Sequence, residues 1–304
     1  MRRRFLELLI AASAAFAGQK VPLGLDRYIP APESNPLRAE VVALGKKLFR
    51  DTALSRDRTV SCASCHKPEY AFTDARPVGV GVRAQKGTRR SPAILNRAWG
   101  NAFFWDGRAA SLEEQVVQPI ANPIEMDLPV EEAAARVGLT RDALARALAS
   151  YVRTILAGDS PYDRYVAGDR SALNEQAQAG LKIFRGKANC VACHVGPNLT
   201  DERFHNTGVS WHEGAFRDKG RAEVTHRDED MGAFKTPSLR QVAARAPYMH
   251  DGSLATLDDV IDYYDRGGVR NPQLDGEIRP LKLSADEKTA LKEFLRALTG
   301  TIVD

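Results

Sequence analysis

All four cysteines of this 304-residue chain fall in two short units, CASCH at 62–66 and CVACH at 190–194. In each, two residues separate the thiols and a histidine follows the second thiol directly. Three chemistries use cysteines so spaced. A disulfide or a thioredoxin-like redox pair suits the thiols alone. A zinc ion could take two thiolates from each unit, but a histidine after both pairs would then be coincidence. Covalent c-type haem uses every residue: the thiols add to the vinyl groups and the adjacent imidazole ligates iron. Occurrence of the whole unit twice favours haem. Cys62, Cys65 and His66 would then hold one haem, and Cys190, Cys193 and His194 a second.

The flanks repeat as well. GKKLFR (45–50) and GLKIFR (180–185) precede the two units, with Lys47, Phe49 and Arg50 matching Lys182, Phe184 and Arg185. The offset is 135 residues between these strings and 128 between His66 and His194, so the first copy carries seven extra loop residues. Val41, Val42, Leu44, Leu48 and Phe49 follow helical spacing. Ser111 with Glu114, Thr256 with Asp259 and Ser284 with Glu287 read as helix starts, each a cap with an acid three residues on. Amphipathic patterns predict helices over 140–157 and 284–299, closed by Gly158 and Gly300. Strand patterns are scarce, and 76–104 and 195–235 read as long loops. The expected fold is all-α: two homologous cytochrome c-type domains, 18–170 and 171–304, each with one haem.

Composition sets outer bounds. Apolar residues make up 43% and charged residues 27%, typical of a globular protein. Residues 1–17 read as a secretory signal: Arg2, Arg3 and Arg4, a short apolar run, then Ala15-Phe16-Ala17 as a cleavage site. The run is too short to span a bilayer. Removing three arginines and Glu7 lowers the formal charge from +4 to +2, and no basic run with interleaved aromatics points to nucleic acid. The expected location is the periplasm, after cleavage behind Ala17.

Two further segments carry a resemblance: FFWDGRAASLEEQVVQPIANPIEM (103–126) and FKTPSLRQVAARAPYMHDGSLATLDDVIDYYDRGG (234–268). With the CxxCH units, they closely resemble the bacterial dihaem cytochrome c peroxidase family, which includes MauG and methanobactin-associated (MbnH-type) members. The resemblance implies a first haem that reacts with hydrogen peroxide, a second that handles electrons, and a tryptophan between them. It makes Trp105 that tryptophan, and Gln115, Pro119 and Glu125 the pocket over the first haem. Splitting an O–O bond requires a group that moves a proton between the two oxygens; a carboxylate in an apolar pocket suits this, and Glu125 is the candidate. Taken without the resemblance, each of these residues reads more plainly as core filling or a solvated helix face.

Three positions depart from the peroxidase pattern. Where many relatives place a removable histidine over the first haem, this chain has Val82, so the peroxide site should be open without prior reduction. Where peroxidases place methionine over the second haem, it has Tyr264, as in MauG. Leu257, Val260, Ile261 and Tyr264 share a helix face, which turns Tyr264 inward and Tyr263 elsewhere; Met231 and Met249 are rivals, with Met249 discounted. The family's calcium ion is implied at an asparagine and the carbonyls of Arg245 and Pro247. The asparagine position is Arg90, whose charge repels calcium, although Asn96 nearby could substitute.

An anionic tyrosinate favours oxidised iron. The resemblance therefore implies a high-valent state shared by two haems that oxidises tryptophan in a periplasmic partner protein, such as a copper-binding protein or an amine dehydrogenase precursor. One alternative is a peroxidase fed by a small cytochrome or cupredoxin; another is a non-catalytic dihaem electron carrier. His205, His212 and His226 read as surface histidines, and Trp99 and Trp211 carry no assigned role.

Overall fold

The computed structural model describes residues 19–304, so the expected signal segment 1–17 lies outside the described residues. Helix α1 (Ala39–Phe49) opens the N-terminal part. The single turns α2 (Leu112–Gln115) and α3 (Gln118–Ala121) follow, then α4 (Val130–Arg136), α5 (Arg141–Arg153) and α6 (Pro161–Val166). The C-terminal part contains α7 (Glu175–Arg185), α8 (Ala222–Thr225), α9 (Leu257–Asp265) and α10 (Ala285–Arg296). The caps read from sequence form: Ser111 Oγ accepts from the Glu114 amide, and Thr256–Asp259 and Ser284–Glu287 close reciprocal capping boxes.

Apolar residues gather in two cores, one drawn from 48–157 and one from 173–298. Each is centred on a pair of crossed helices, and the two crossings are built alike. At Gly45, α1 passes so close to α5 that a Cβ would lie 1.9 Å from the Ala147 carbonyl oxygen; at Gly180, α7 approaches the Ala290 carbonyl of α10 with the same 1.9 Å clearance. An aromatic pair seals each: Phe49 edge-on to Tyr151 at 5.2 Å, and Phe184 tilted onto Phe294 at 5.0 Å.

The structure departs from the expected all-α fold in detail. It is mainly helical, but three two-stranded antiparallel sheets are present: β1 (Leu156–Gly158) with β6 (Thr301–Val303), β2 (Phe204–His205) with β5 (Phe234–Lys235), and β3 (Trp211–His212) with β4 (Ala215–Phe216). Helix α5 stops at Arg153 rather than reaching Ala157. Past that point Ala157 pairs with Ile302, while its amide and carbonyl both bond the Asn96 side chain, at 2.7 and 2.9 Å. These distant partners satisfy the backbone groups that further helix would have used. The terminal strand also crosses the expected 170/171 division: Ile302 packs on the first core, and Asp304 accepts from the Tyr151 hydroxyl at 2.8 Å.

Candidate active site

One cavity of about 1300 Å³ runs between the two cores. Both cysteine–histidine units line it, as do Trp105, Gln115, Pro119, Glu125 and Tyr264. The four cysteines, their two histidines and these five residues thus face one space.

The two units have the same local build. Cys62–Ser64 and Cys190–Ala192 each form one 3-10 turn, and the following histidine amide donates to the first cysteine's carbonyl at 2.9 Å in both. His66 Nδ1 lies 3.1 Å from the Phe72 carbonyl and His194 Nδ1 2.9 Å from that of Leu199. A carbonyl only accepts, so Nδ1 carries the proton and Nε2 keeps its lone pair for a metal. Burial lowers the pKa of His66 and pushes His194 down to about 4, so both rings stay neutral. The four thiols are free, and among the described residues they do not converge as a zinc site would require. The buried Nε atoms of Arg90 and Arg245 lack a protein partner among the described residues, and both side chains line the cavity. Paired thiols, imidazoles with free Nε2 and buried cations awaiting an anion fit two haems with their carboxylates.

Above the first unit, Gln115 ends α2, Pro119 sits in α3 and Glu125 lies in the turn beyond. Burial raises the pKa of Glu125, while the Asn122 amide, donating to Oε1 at 2.7 Å, and the charge of Arg108 pull it back. Sequence reasoning missed what fixes this carboxylate. The Val82 amide donates to the Glu125 carbonyl at 2.8 Å, and Gly81 passes so close that a Cβ would meet the Ile124 carbonyl oxygen at 2.1 Å. Val82 itself is fully buried and absent from the cavity wall. The Trp105 indole donates to the Arg90 carbonyl at 2.8 Å.

Near the second unit Tyr264 lines the cavity, and burial raises the pKa of its hydroxyl. Tyr263, expected to point elsewhere, is absent from the cavity wall and buried, its hydroxyl donating to the Thr207 carbonyl at 2.8 Å. Between the methionine rivals the expectation reverses: Met249 lines the cavity and Met231 does not. Asn96, named as a substitute for the calcium asparagine, is buried with its side-chain amide bonded to both main-chain groups of Ala157. His212 and His226 are exposed as expected. His205 is not a surface histidine: it is held between Asp275 at 2.6 Å and Asp201 at 2.9 Å. Irregular sequence spacing hid that arrangement.

The sequence profile described as "Di-haem cytochrome c peroxidase" matches residues 39–141. The chain is 42% identical to "Methylamine utilization protein MauG" of Methylorubrum extorquens, over 95% of this chain and 86% of that protein. The chain belongs to the di-haem cytochrome c peroxidase family. It is 35% identical to "Cytochrome-c peroxidase IdrP1" of a Pseudomonas species, over 97% of this chain and 90% of that protein. Among solved structures it is similar to a MauG-like protein associated with microbial copper homeostasis, with TM-score 0.84 and 34% identity over 91% of this chain and 95% of that one. As a di-haem peroxidase family member it is a haem-dependent oxidoreductase. Among the described residues no helix is long and apolar enough to cross a membrane.

Proposed function

We propose that this protein is an exported, periplasmic enzyme of two homologous haem domains that consumes hydrogen peroxide and takes the electrons from tryptophan in a partner protein. The observation carrying this reading is the cavity shared by both cysteine–histidine units, with Glu125 and Tyr264 both on its wall; the family resemblance aligns Tyr264 with the methionine of the electron-relay haem. Cys62 and Cys65 would anchor one haem and Cys190 and Cys193 the other, with His66, His194 and Tyr264 as the residues that would ligate iron. When bound, the haems would supply iron that reacts with peroxide and stores its oxidising equivalents.

The protein's own residues do the rest. Glu125 takes a proton from one peroxide oxygen and returns it to the other; Gln115 orients the peroxide, and Pro119 shapes the pocket without offering a ligand. Reducing one peroxide to two waters consumes two protons and two electrons. Trp105 stands on the wall common to both units, placed to carry those electrons. No pocket for the partner's side chain is needed, because only electrons have to cross. The same cavity would serve a peroxidase fed by a small cytochrome or cupredoxin; Tyr264 favours the first reading.

The test measures reduction potentials of the holoprotein, confirmed by mass spectrometry to carry two haem adducts, and then adds peroxide to the oxidised form. Two low-lying potentials and a long-lived oxidised product that decays on adding a tryptophan-bearing protein are expected. A well-separated high-potential haem, with rapid turnover on a reduced small cytochrome, would assign it to the ordinary peroxidases. No reaction with peroxide would make it an electron carrier.

A further inference from the structure

Arg90 is 5% exposed and lies where the two parts of the chain meet. Its Nη1 donates to Thr73 Oγ1 at 2.6 Å and the Ser91 carbonyl at 3.3 Å; its Nη2 donates to the carbonyls of Asp74, Arg245 and Ala246 at 2.6, 3.1 and 3.2 Å. The main chain of the same residue makes two more links: its amide donates to the His250 carbonyl at 2.6 Å, and its carbonyl receives the Trp105 indole. One residue therefore grips the N-terminal loop, the 245–250 segment and the indole together.

We propose that Arg90 is an internal cation that joins the two halves and positions the Trp105 indole, so that this protein neither binds nor needs calcium there. Calcium takes six to eight oxygens at about 2.3–2.6 Å. Of the two carbonyls implied for calcium, that of Arg245 already accepts from a guanidinium, as does that of neighbouring Ala246, and a second buried guanidinium, Arg245, adds like charge. The Asp74 carboxylate is engaged by Arg76 at 2.6 Å and Lys67 at 3.7 Å. A planar fork of N–H donors suits several fixed oxygens at once, which a lysine ammonium on a flexible stem does not. Burial lowers the pKa of Arg90 to about 10, which leaves it charged at neutral pH. The value of positioning Trp105 rests on the function proposed above; the replacement of calcium does not.

The test uses the holoprotein. Calcium is measured by elemental analysis, and the thermal midpoint and the indole hydrogen-bond band of Trp105 in ultraviolet resonance Raman (assigned with Trp105→Phe) are read with and without EGTA. Substoichiometric calcium and no response to EGTA are expected. One bound calcium per chain, or a midpoint that falls on chelation, overturns the replacement. Arg90→Lys should weaken the indole band and lower the midpoint by about 5 °C, both read on preparations matched for haem content, and an unaltered band overturns the positioning role. Arg90→Gln provides the same reading if the lysine variant does not accumulate. None of these readings uses peroxide, so failure of the proposed function would leave them standing.

Discussion

Glu125 and Asn122 form the most informative pair of residues. In the proposed mechanism Glu125 must be ionised to accept the first proton, and burial raises its pKa. The rate with peroxide should therefore fall as pH drops through a value above the ordinary carboxylate range. Asn122→Ala removes the donor that favours the anion, which raises that pKa further and moves the acid limb to higher pH. Stopped-flow rates across pH check this; an unmoved limb would mean another group is titrating. Glu125→Gln should slow the reaction by about 10²–10⁴-fold if it transfers the proton. Tyr264→Phe should change the electronic and resonance Raman spectra of one haem and leave the other alone. An unchanged spectrum would turn attention to Met249, which lines the same cavity, and not to Met231, which does not.

At the scale of elements, the two helix crossings carry the fold. Gly45 and Gly180 admit the neighbouring helix at distances where any Cβ collides with backbone rather than with a side chain that could rotate away. Gly45→Ala or Gly180→Ala should each cost about 1–3 kcal/mol through overpacking, read as a lower denaturant midpoint with the haem bound. Gly168→Ala is the control for added methyl volume: it has open space around it, although its φ of 116° adds strain of its own. These glycines stand in the strings GKKLFR and GLKIFR, whose repetition was visible in the chain. The reason for the glycine was not visible, because it lies in a helix about a hundred residues away.

At the scale of the molecule, long-range contacts tie segments far apart in the chain to one another. Arg240 pairs with Asp163 at 2.5 Å, each side chain 2% exposed, and Arg240 also donates to the carbonyls of Gly24 and Pro197. Asp163→Asn leaves Arg240 as an uncompensated buried charge and should destabilise the protein by about 3–5 kcal/mol, measured by denaturant unfolding; a loss under about 1 kcal/mol would place the pair in a wetter setting than its burial implies. The terminal strand β6 works in the same direction by returning to β1 and the first core.

The sequence by itself determined the chemistry at the scale where it is local. A thiol pair and its histidine must be adjacent to serve one porphyrin, and a cap must sit three residues from its acid, so both could be read along the chain. Tertiary structure alone decided where α5 ends, which methionine reaches the cavity, that His205 is gripped by two aspartates, and that Arg90 spans the halves. Each of those outcomes depends on partners far apart in the chain, brought together only when the two cores pack, and no spacing rule encodes them.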